Sequence, residues 1–365
     1  MSVDDGPLVL VTGGAGFIGC AIADRLVRGG SRVVAVDSLH PQIHPQQVRP
    51  AALPSDVELV VADVTLAETW DALLGERGLR PHVVVHLAAE TGTGQSLTES
   101  TRHADVNVVG TAAMLDALLR HDAVPGHLLL SSSRAVYGEG RWQTVGGESF
   151  YPPPRSHRQL EAQQWDCTSP DGTRATARPH RADTTEPAPT SVYGATKLCQ
   201  EHMMRAWCLA GGTALSILRL QNVYGPGQSL TNSYTGIVTL FSRLAAEGRS
   251  IPLYEDGQVL RDFIYIDDVA AAMEAALAVP PPQGMRVLDV GSGRGTTIQQ
   301  LAQAVVALHS GAPAPHVTGA FRDGDVRHAS ADVARTVEQL PWRPTWTLAD
   351  GLAELRAWVA AQESP

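Results

Sequence analysis

Short apolar runs recur through the first 220 residues, each followed by a polar or small-residue stretch and then by a helical pattern. Leu8-Val9-Leu10-Val11 is apolar at successive positions, as a strand covered on both faces of a parallel sheet must be. It runs into Thr12-Gly13-Gly14-Ala15-Gly16-Phe17-Ile18-Gly19 and then into helical spacing across residues 21–27. Further strands are predicted at 32–36, closed by Asp37; at 57–62, followed by Asp63 and Val64; and at 82–86, followed by Leu87, Ala88 and Ala89. A fifth, 128–130, ends in Ser131, Ser132 and Ser133, and a sixth covers 215–220. Strands alternating with helices at this rhythm predict an α/β fold built on a doubly wound parallel sheet.

Strand, glycine turn and helix in succession give the glycines a chemical reading. Gly13 permits a tight turn, Gly16 lets backbone approach a pyrophosphate, and Gly19 lets helix and sheet pack closely. The helix start then offers N–H groups and a positive dipole end to phosphate. Asp37 is placed to accept from an adenosine ribose 2′-hydroxyl and to repel a 2′-phosphate, which favours NAD over NADP; capping of the following loop is the other role for an acid there. Asp63 and Val64 occupy the usual adenine-side position, and Leu87, Ala88 and Ala89 are small enough for a cofactor to pass close to backbone. The serines after the fifth strand stand at the carboxyl end of the sheet, where ligands sit, and can bond a sugar hydroxyl or satisfy strand-end backbone.

Residues 141–190 break the rhythm with Pro, Arg, Gln and Thr, and read as a long insertion or lid over the cleft. Next comes Ser191-Val192-Tyr193-Gly194-Ala195-Thr196-Lys197, entering a run of good helix formers. Tyr193 and Lys197 are four apart, so phenol and ammonium share a helix face. A free phenol, with a pKa of about 10, is a poor base, and a neighbouring cation brings it toward working range. After Gln221-Asn222-Val223-Tyr224-Gly225-Pro226-Gly227 the alternation loosens into a smaller C-terminal lobe. Arg261, before an apolar strand, and Arg322 and Arg327, around Asp325, are candidates for gripping a diphosphate or for surface ion pairs. Val287-Leu288-Asp289-Val290-Gly291-Ser292-Gly293-Arg294-Gly295 has the look of a methyltransferase cofactor loop, but too little chain follows for the domain such a loop opens. We read it as a turn into a helix at 298–308.

A formal net charge of -10 with no basic stripe argues against nucleic-acid binding. No 18-residue apolar run is present, so no membrane association is expected. Cys20, Cys167, Cys199 and Cys208 lack paired spacing, which points to free thiols in a reducing cytoplasm and to no metal site.

Together the loop at 12–19, Asp37, Asp63, Ser133, Tyr193-x-x-x-Lys197, Asn222, Arg261-Asp262 and the arginines at 322–327 resemble the extended short-chain dehydrogenase/reductases, specifically the nucleotide-sugar epimerases and dehydratases. The resemblance covers nearly the whole chain. It implies an NAD-binding Rossmann domain over 1–222 and a mainly nucleotide-sugar-binding lobe over 223–365, with some segments returning to the first domain. It implies Tyr193 as catalytic base, Lys197 on the nicotinamide ribose and lowering the tyrosine pKa, and Ser133 as the catalytic serine. NAD would be held by Gly13, Gly16, Phe17, Ile18, Gly19, Asp37, Asp63, Val64, Leu87, Ala88, Ala89, Asn107, Tyr193 and Lys197. Asn222, Arg261 and Arg327 would grip the substrate diphosphate, and a homodimer is usual. Dehydratases carry Asp-Glu directly after the catalytic Ser or Thr; here Arg134 and Ala135 can do neither acid job, which disfavours dehydration. The stretches at 132–140 and 218–232, with the long insertion, look like the dTDP-L-rhamnose 4-epimerase branch. The expected activity is 4-epimerisation of a dTDP- or UDP-sugar through a 4-keto intermediate. The same Ser-Tyr-Lys set serves a 4-keto-sugar reductase or dehydrogenase, and a non-catalytic NAD-binding scaffold is the reading from another class.

Overall fold

The computed structural model describes residues 6–229, 236–281 and 284–363; Leu230, Thr231 and Asn232, which close the second branch-like stretch, lie outside the described residues. From the N-terminal side, β1 (Leu8–Thr12) leads through the glycine loop into α1 (Phe17–Arg28), followed by β2 (Arg32–Asp37) and β3 (Glu58–Val61). Next come α2 (Ala67–Trp70), β4 (Val83–His86), α3 (Ser100–Ala104), α4 (Gly110–Arg120) and β5 (His127–Ser133). The insertion holds β6 (Trp142–Thr144), β7 (Ser149–Phe150), α5 (His157–Glu161) and β8 (Ala175–Ala177), and α6 (Val192–Gly211) and β9 (Ala214–Leu220) follow it. Then come β10 (Asn222–Tyr224), α7 (Ile237–Ala246), β11 (Pro252–Leu253), β12 (Leu260–Tyr265), α8 (Ile266–Ala278) and β13 (Met285–Val290). The chain finishes with β14 (Gly295–Thr297), α9 (Ile298–Ala307), β15 (His316–Val317), β16 (His328–Ala329), α10 (Ala334–Gln339) and α11 (Leu348–Glu363).

Seven strands form the central sheet in the order β13-β9-β5-β4-β1-β2-β3, every neighbouring pair parallel. The strand order reverses between β1 and β4, and that switch point opens a crevice at the carboxyl ends of the strands. Alternate residues of β1 serve opposite faces. Val9 and Val11 pack with Ile22 of α1 and Met273 of α8. Leu8 and Leu10 pack with Trp70, with Met114 and Leu118 of α4, and with Met204 of α6. Both faces are therefore dry, which is why the strands read as unbroken apolar runs.

The smaller lobe is a sheet ordered β10-β12-β14, with β16 also paired to β12. Its core joins Tyr224, Phe263 and Tyr265 to Phe241 of α7, Leu301 of α9 and Leu355 of α11. Strand β13 then returns to the edge of the central sheet beside β9. The turn after β13 has a local cause: the Asp262 carboxylate accepts from the N–H groups of Ser292 at 2.8 Å and Gly293 at 3.0 Å, and from the Ser292 hydroxyl at 2.7 Å. A capping box between Thr297 and Gln300 then starts α9. The four cysteines are free thiols. No helix among the described residues is long and apolar enough to cross a membrane.

The insertion has a structure of its own. Strands β7, β6 and β8 form a small antiparallel sheet, and the segment is fastened to the C-terminal part of the chain by charge. Buried Arg155 reaches Glu255 at 2.8 Å and the Asp325 carbonyl at 2.9 Å, and Arg327 reaches Asp166 at 2.8 Å. Backbone bonds from His180 N–H to Ser330 O at 2.7 Å and from Asp332 N–H to His180 O at 2.9 Å add to the seam. Buried ion pairs of this kind hold the segment on the C-terminal part of the chain, since breaking one leaves a buried charge unpaired.

A second buried charge network joins α6 to the central sheet. Glu201 accepts two hydrogen bonds from Arg219, at 2.9 and 2.6 Å, and one from Ser132. The same guanidinium lies over the Tyr137 ring, 4.7 Å from its centroid. Replacing Glu201 with Ala leaves a buried unpaired guanidinium and should cost about 3–5 kcal/mol of stability. Urea unfolding checks this, and a loss below about 1 kcal/mol would contradict a buried, mutually dependent pair.

Candidate active site

The reactive groups meet because α6 comes unusually close to the turn after β5. Ser191 caps the helix, its hydroxyl accepting from Gly194 N–H at 3.1 Å. Gly194 lies directly against that turn: a Cβ built on it would sit 2.4 Å from the Ala135 carbonyl oxygen. Only a residue without a side chain fits. The approach brings Tyr193, in the first turn of α6, to the same cavity as Ser133 at the end of β5. Burial raises the Tyr193 pKa above the ordinary phenol range, while the Ser133 hydroxyl and the charge of Arg134 pull it down.

Lys197 follows one turn later and is 2% exposed. Its Nζ donates to Gln200 Oε1 at 2.8 Å, and burial brings its pKa down to about 7 against the opposing pull of Glu201. Gln200 in turn donates to Thr111 Oγ1 at 2.8 Å and touches His86 Nε2 at 3.3 Å; His86 Nδ1 meets Thr12 Oγ1 at 2.7 Å. Burial, reinforced by the charge of Lys197, drives the His86 pKa down to about 3, so this imidazole is neutral. A polar chain thus runs from α6 through α4 to β4 and β1. The charge of Arg134 bears on the phenol, and that of Lys197 on His86.

Two adjoining cavities open at the switch point. One, of about 800 Å³, is bordered by Gly13, Gly16, Phe17, Ile18, Gly19, Leu87, Ala89, Ser133, Arg134, Tyr193, Lys197 and Asn222, and extends along 226–229 to Tyr265. The other, of about 280 Å³, is bordered by Asp37, Asp63, Val64 and Ala88, and shares Gly13, Gly16, Leu87 and Ala89 with the first. No residue of 141–190 borders either one.

The fit to a dinucleotide can be tested on the loop itself. Gly13 has φ +66°, and a Cβ there would lie 2.8 Å from Ala88 N; a Cβ on Gly19 would lie 2.3 Å from Gly13 O. A Cβ on Gly16 would meet only Gly13 O, at 3.2 Å, so Gly16 is the glycine that keeps the cavity side open. Gly19 thus serves helix-to-loop packing in addition to any packing on the sheet. Asp37 accepts from Ala15 N–H at 3.0 Å and from Leu39 N–H at 2.9 Å, and its carboxylate keeps further lone pairs for a ribose hydroxyl at the second cavity. Asp63 accepts from the Thr65 N–H and hydroxyl, both at 2.8 Å, which orders the adenine-side loop. These residues fit NAD.

Three expected site residues border neither cavity. Asn107 is fully buried behind the β4 loop: its Oδ1 accepts from Glu90 N–H at 2.7 Å, and its Nδ2 donates to Glu90 O at 3.1 Å and Thr196 Oγ1 at 2.9 Å. It therefore ties the cofactor-side loop to α6. Arg261 is ion-paired with Asp325 at 2.6 Å and donates to its own carbonyl neighbour, Leu260 O, at 2.8 Å. Arg327 is paired with Asp166, Glu255 and Asp256 at 2.7–3.0 Å. Four of its five N–H donors are spent on these carboxylates, a structural task beside the expected hold on a diphosphate. Asn222 does border the cavity, and its Oδ1 accepts from Arg134 Nε at 2.8 Å.

Sequence reasoning did not single out Gly194, Gln200 or His86, nor the part Arg134 plays beside Tyr193. For Gly194 the signal was present, a glycine inside a helical run directly after the reactive tyrosine. Gly194→Ala should push α6 away from Ala135 and lower kcat by about 10²-fold, because a 1 Å misplacement of a catalytic group costs that much. Steady-state kinetics with a melting curve checks it; unchanged kcat would contradict the contact.

The family model described as NAD dependent epimerase/dehydratase family matches residues 9–159 and 166–291. The chain is 59% identical over 361 residues to dTDP-L-rhamnose 4-epimerase of Burkholderia thailandensis, covering 99% of this chain and 97% of the relative. It is 31% identical over 345 residues to UDP-glucose 4-epimerase of Mycolicibacterium smegmatis, covering 94% and 96%. The fold matches a crystal structure of UDP-glucose 4-epimerase with UDP-glucose from Thermotoga maritima at TM-score 0.79 and 26% identity, covering 98% of this chain and 100% of that one. It also matches the Thermus thermophilus UDP-glucose 4-epimerase complex with NAD at TM-score 0.75 and 26% identity, covering 97% and 99%. With the glycine loop, Asp37 and the Ser133, Tyr193 and Lys197 set gathered at one cleft, this chain belongs to the NAD-dependent epimerase/dehydratase family.

Proposed function

We propose that the chain is an NAD-dependent 4-epimerase of a nucleoside-diphosphate sugar, and that the sugar is dTDP-linked L-rhamnose or its C4 epimer. The observation that carries the reading is the 59% identity across 99% of the chain to a dTDP-L-rhamnose 4-epimerase. Two local features agree with it: the Ser133, Tyr193 and Lys197 set is complete, and Arg134 and Ala135 stand where a dehydratase needs its acid pair. Bound in the paired cavities, NAD+ supplies hydride acceptance at C4 and hydride return to the opposite face, so no cofactor is consumed.

The protein's own groups do the rest. Ser133 orients the C4 hydroxyl, and Tyr193 takes its proton and later gives it back. Lys197 and Asp37 hold the cofactor's two riboses, and Asn222 stands where the sugar-linked diphosphate would be anchored. The cavity of about 800 Å³ leaves room for a 4-keto sugar to turn about that anchor. We further propose a homodimer: Val109, Leu119 and Leu209 are 49%, 58% and 77% exposed on or beside α4 and α6, an apolar surface that a second copy would cover.

Incubated with dTDP-L-rhamnose, the purified protein should yield the C4-inverted sugar by proton NMR, with no NADH accumulating in the absorbance record. Stoichiometric NADH would instead mark a dehydrogenase. Tyr193→Phe should lower kcat on the order of 10²–10⁴-fold while NAD content stays unchanged. Turnover near wild type in that variant would remove Tyr193 from the base role.

A further inference from the structure

Arg134 follows Ser133 directly and borders the same cavity as Ser133, Tyr193 and Asn222. Its side chain is half-buried and fixed at one point, Nε donating to Asn222 Oδ1 at 2.8 Å. Among the described residues no acceptor takes its Nη groups, so the open side of the fork is left for a ligand oxygen. Arg261 and Asp325, paired with each other at 2.6 Å, are the charged neighbours that bear on it, the first against its charge and the second for it. His180, the remaining ionisable ring close to it, is buried, and burial with the nearby arginine charges drives its pKa down to about 3, so it adds none.

Groups from three elements face Tyr193. On its own helix Lys197 is committed to Gln200 at 2.8 Å. From α3 the His103 ring meets the phenol edge-on at 6.5 Å, with Nδ1 bonded to the Glu99 carbonyl at 2.9 Å. From the turn after β5 come the Ser133 hydroxyl and the Arg134 guanidinium, whose attraction counters the burial of the phenol. Burial beside Arg261 lowers the Arg134 pKa only to about 10, so it is a cation throughout the neutral range.

We propose that Arg134 is a further catalytic residue: held at Nε by Asn222, it donates through Nη to the sugar oxygen that Ser133 and Tyr193 address, and its charge favours both the departing alkoxide and the tyrosine phenolate. The inference rests on the 4-epimerase reading. In the step it serves, the alcohol loses H+ to Tyr193 Oη and H− to NAD+, leaving a C4 ketone; the return step reverses both transfers. Negative charge sits on oxygen in either direction, and a fixed cation there acts on the transition state more than on the bound substrate. Such a role also accounts for an arginine at a place where the dehydratase branch keeps an acid.

The test compares Arg134→Gln, which is neutral and still polar toward Asn222, with Arg134→Lys, which keeps the charge. Both are assayed with dTDP-L-rhamnose across pH 6–10 after a melting curve and a measurement of NAD content. Tyr193 is active as phenolate, so kcat rises with pH through its apparent pKa, and removing a nearby cation moves that limb to higher pH. Arg134→Gln should lose on the order of 10²-fold in kcat at pH 7, recover part of it by pH 9–10, and show the limb at least one unit higher. Arg134→Lys should bring the limb back toward wild type even if its melting temperature is no better. A limb that stays in place in both variants, with KM alone raised, would overturn the proposal and make Arg134 a diphosphate clamp. Should Arg134→Gln fail to fold, the lysine variant decides alone: a wild-type limb supports the charge role, and a limb displaced as far as one unit despite the retained charge overturns it. Wild-type protein inert on this substrate would instead count against the 4-epimerase reading, a separate outcome.

Discussion

The site depends on one close contact, that of the first turn of α6 on the turn after β5. With Gly194 in place the helix can sit against the Ala135 carbonyl, and Tyr193 and Ser133 then border one cavity. Everything else that holds α6 serves that placement. Glu201 locks the middle of the helix to β9 through Arg219, Gln200 ties it to α4, and Thr196 ties it through Asn107 to the loop after β4. These anchors come from three directions, and all are buried. A helix fixed in this way can hold a phenol to within a fraction of an ångström, which proton transfer requires.

The electrostatics of the cleft follow from burial. Lys197, His86 and Tyr193 all sit where water is scarce, and each is pushed toward its neutral form. For His86 that is the end state, a neutral ring in a hydrogen-bond chain. For Tyr193 the charge of Arg134 works the other way and favours the phenolate, as the charge of Glu201 favours the ammonium of Lys197. A low-dielectric cleft that makes each charge expensive also makes each ion–ion contact strong, so assembling the full complex changes the protonation of the reacting groups. Arg327 and Arg155 follow the opposite rule: they are paired with carboxylates inside the protein and hold the insertion in place.

Much of this was legible in the sequence because it is local. The parallel strands announced themselves as apolar runs, since both faces of the sheet are covered by helices. The glycine loop, Asp37 and the i, i+4 pair of Tyr193 and Lys197 are read over a few residues each, and the structure places them along one crevice. What was not legible was long-range. Nothing in the neighbourhood of Arg327 tells that Asp166, 161 positions away, accepts from it. The insertion shows in the sequence as prolines that break the pattern, whereas the partners that fasten it lie more than 100 positions away. Arg134 read only as a missing acid; its clamp on Asn222 spans 88 positions.

The central claim is that the carbon inverted is C4 and that its hydrogen leaves and returns as hydride within one active site. The most direct measurement uses dTDP-L-rhamnose carrying deuterium at C4, with the product read by proton NMR and mass spectrometry. The account predicts full retention of the label at C4 of the inverted sugar, with no exchange into water or into added NADH. Loss of the label to solvent, or its appearance in the free cofactor pool, would contradict it.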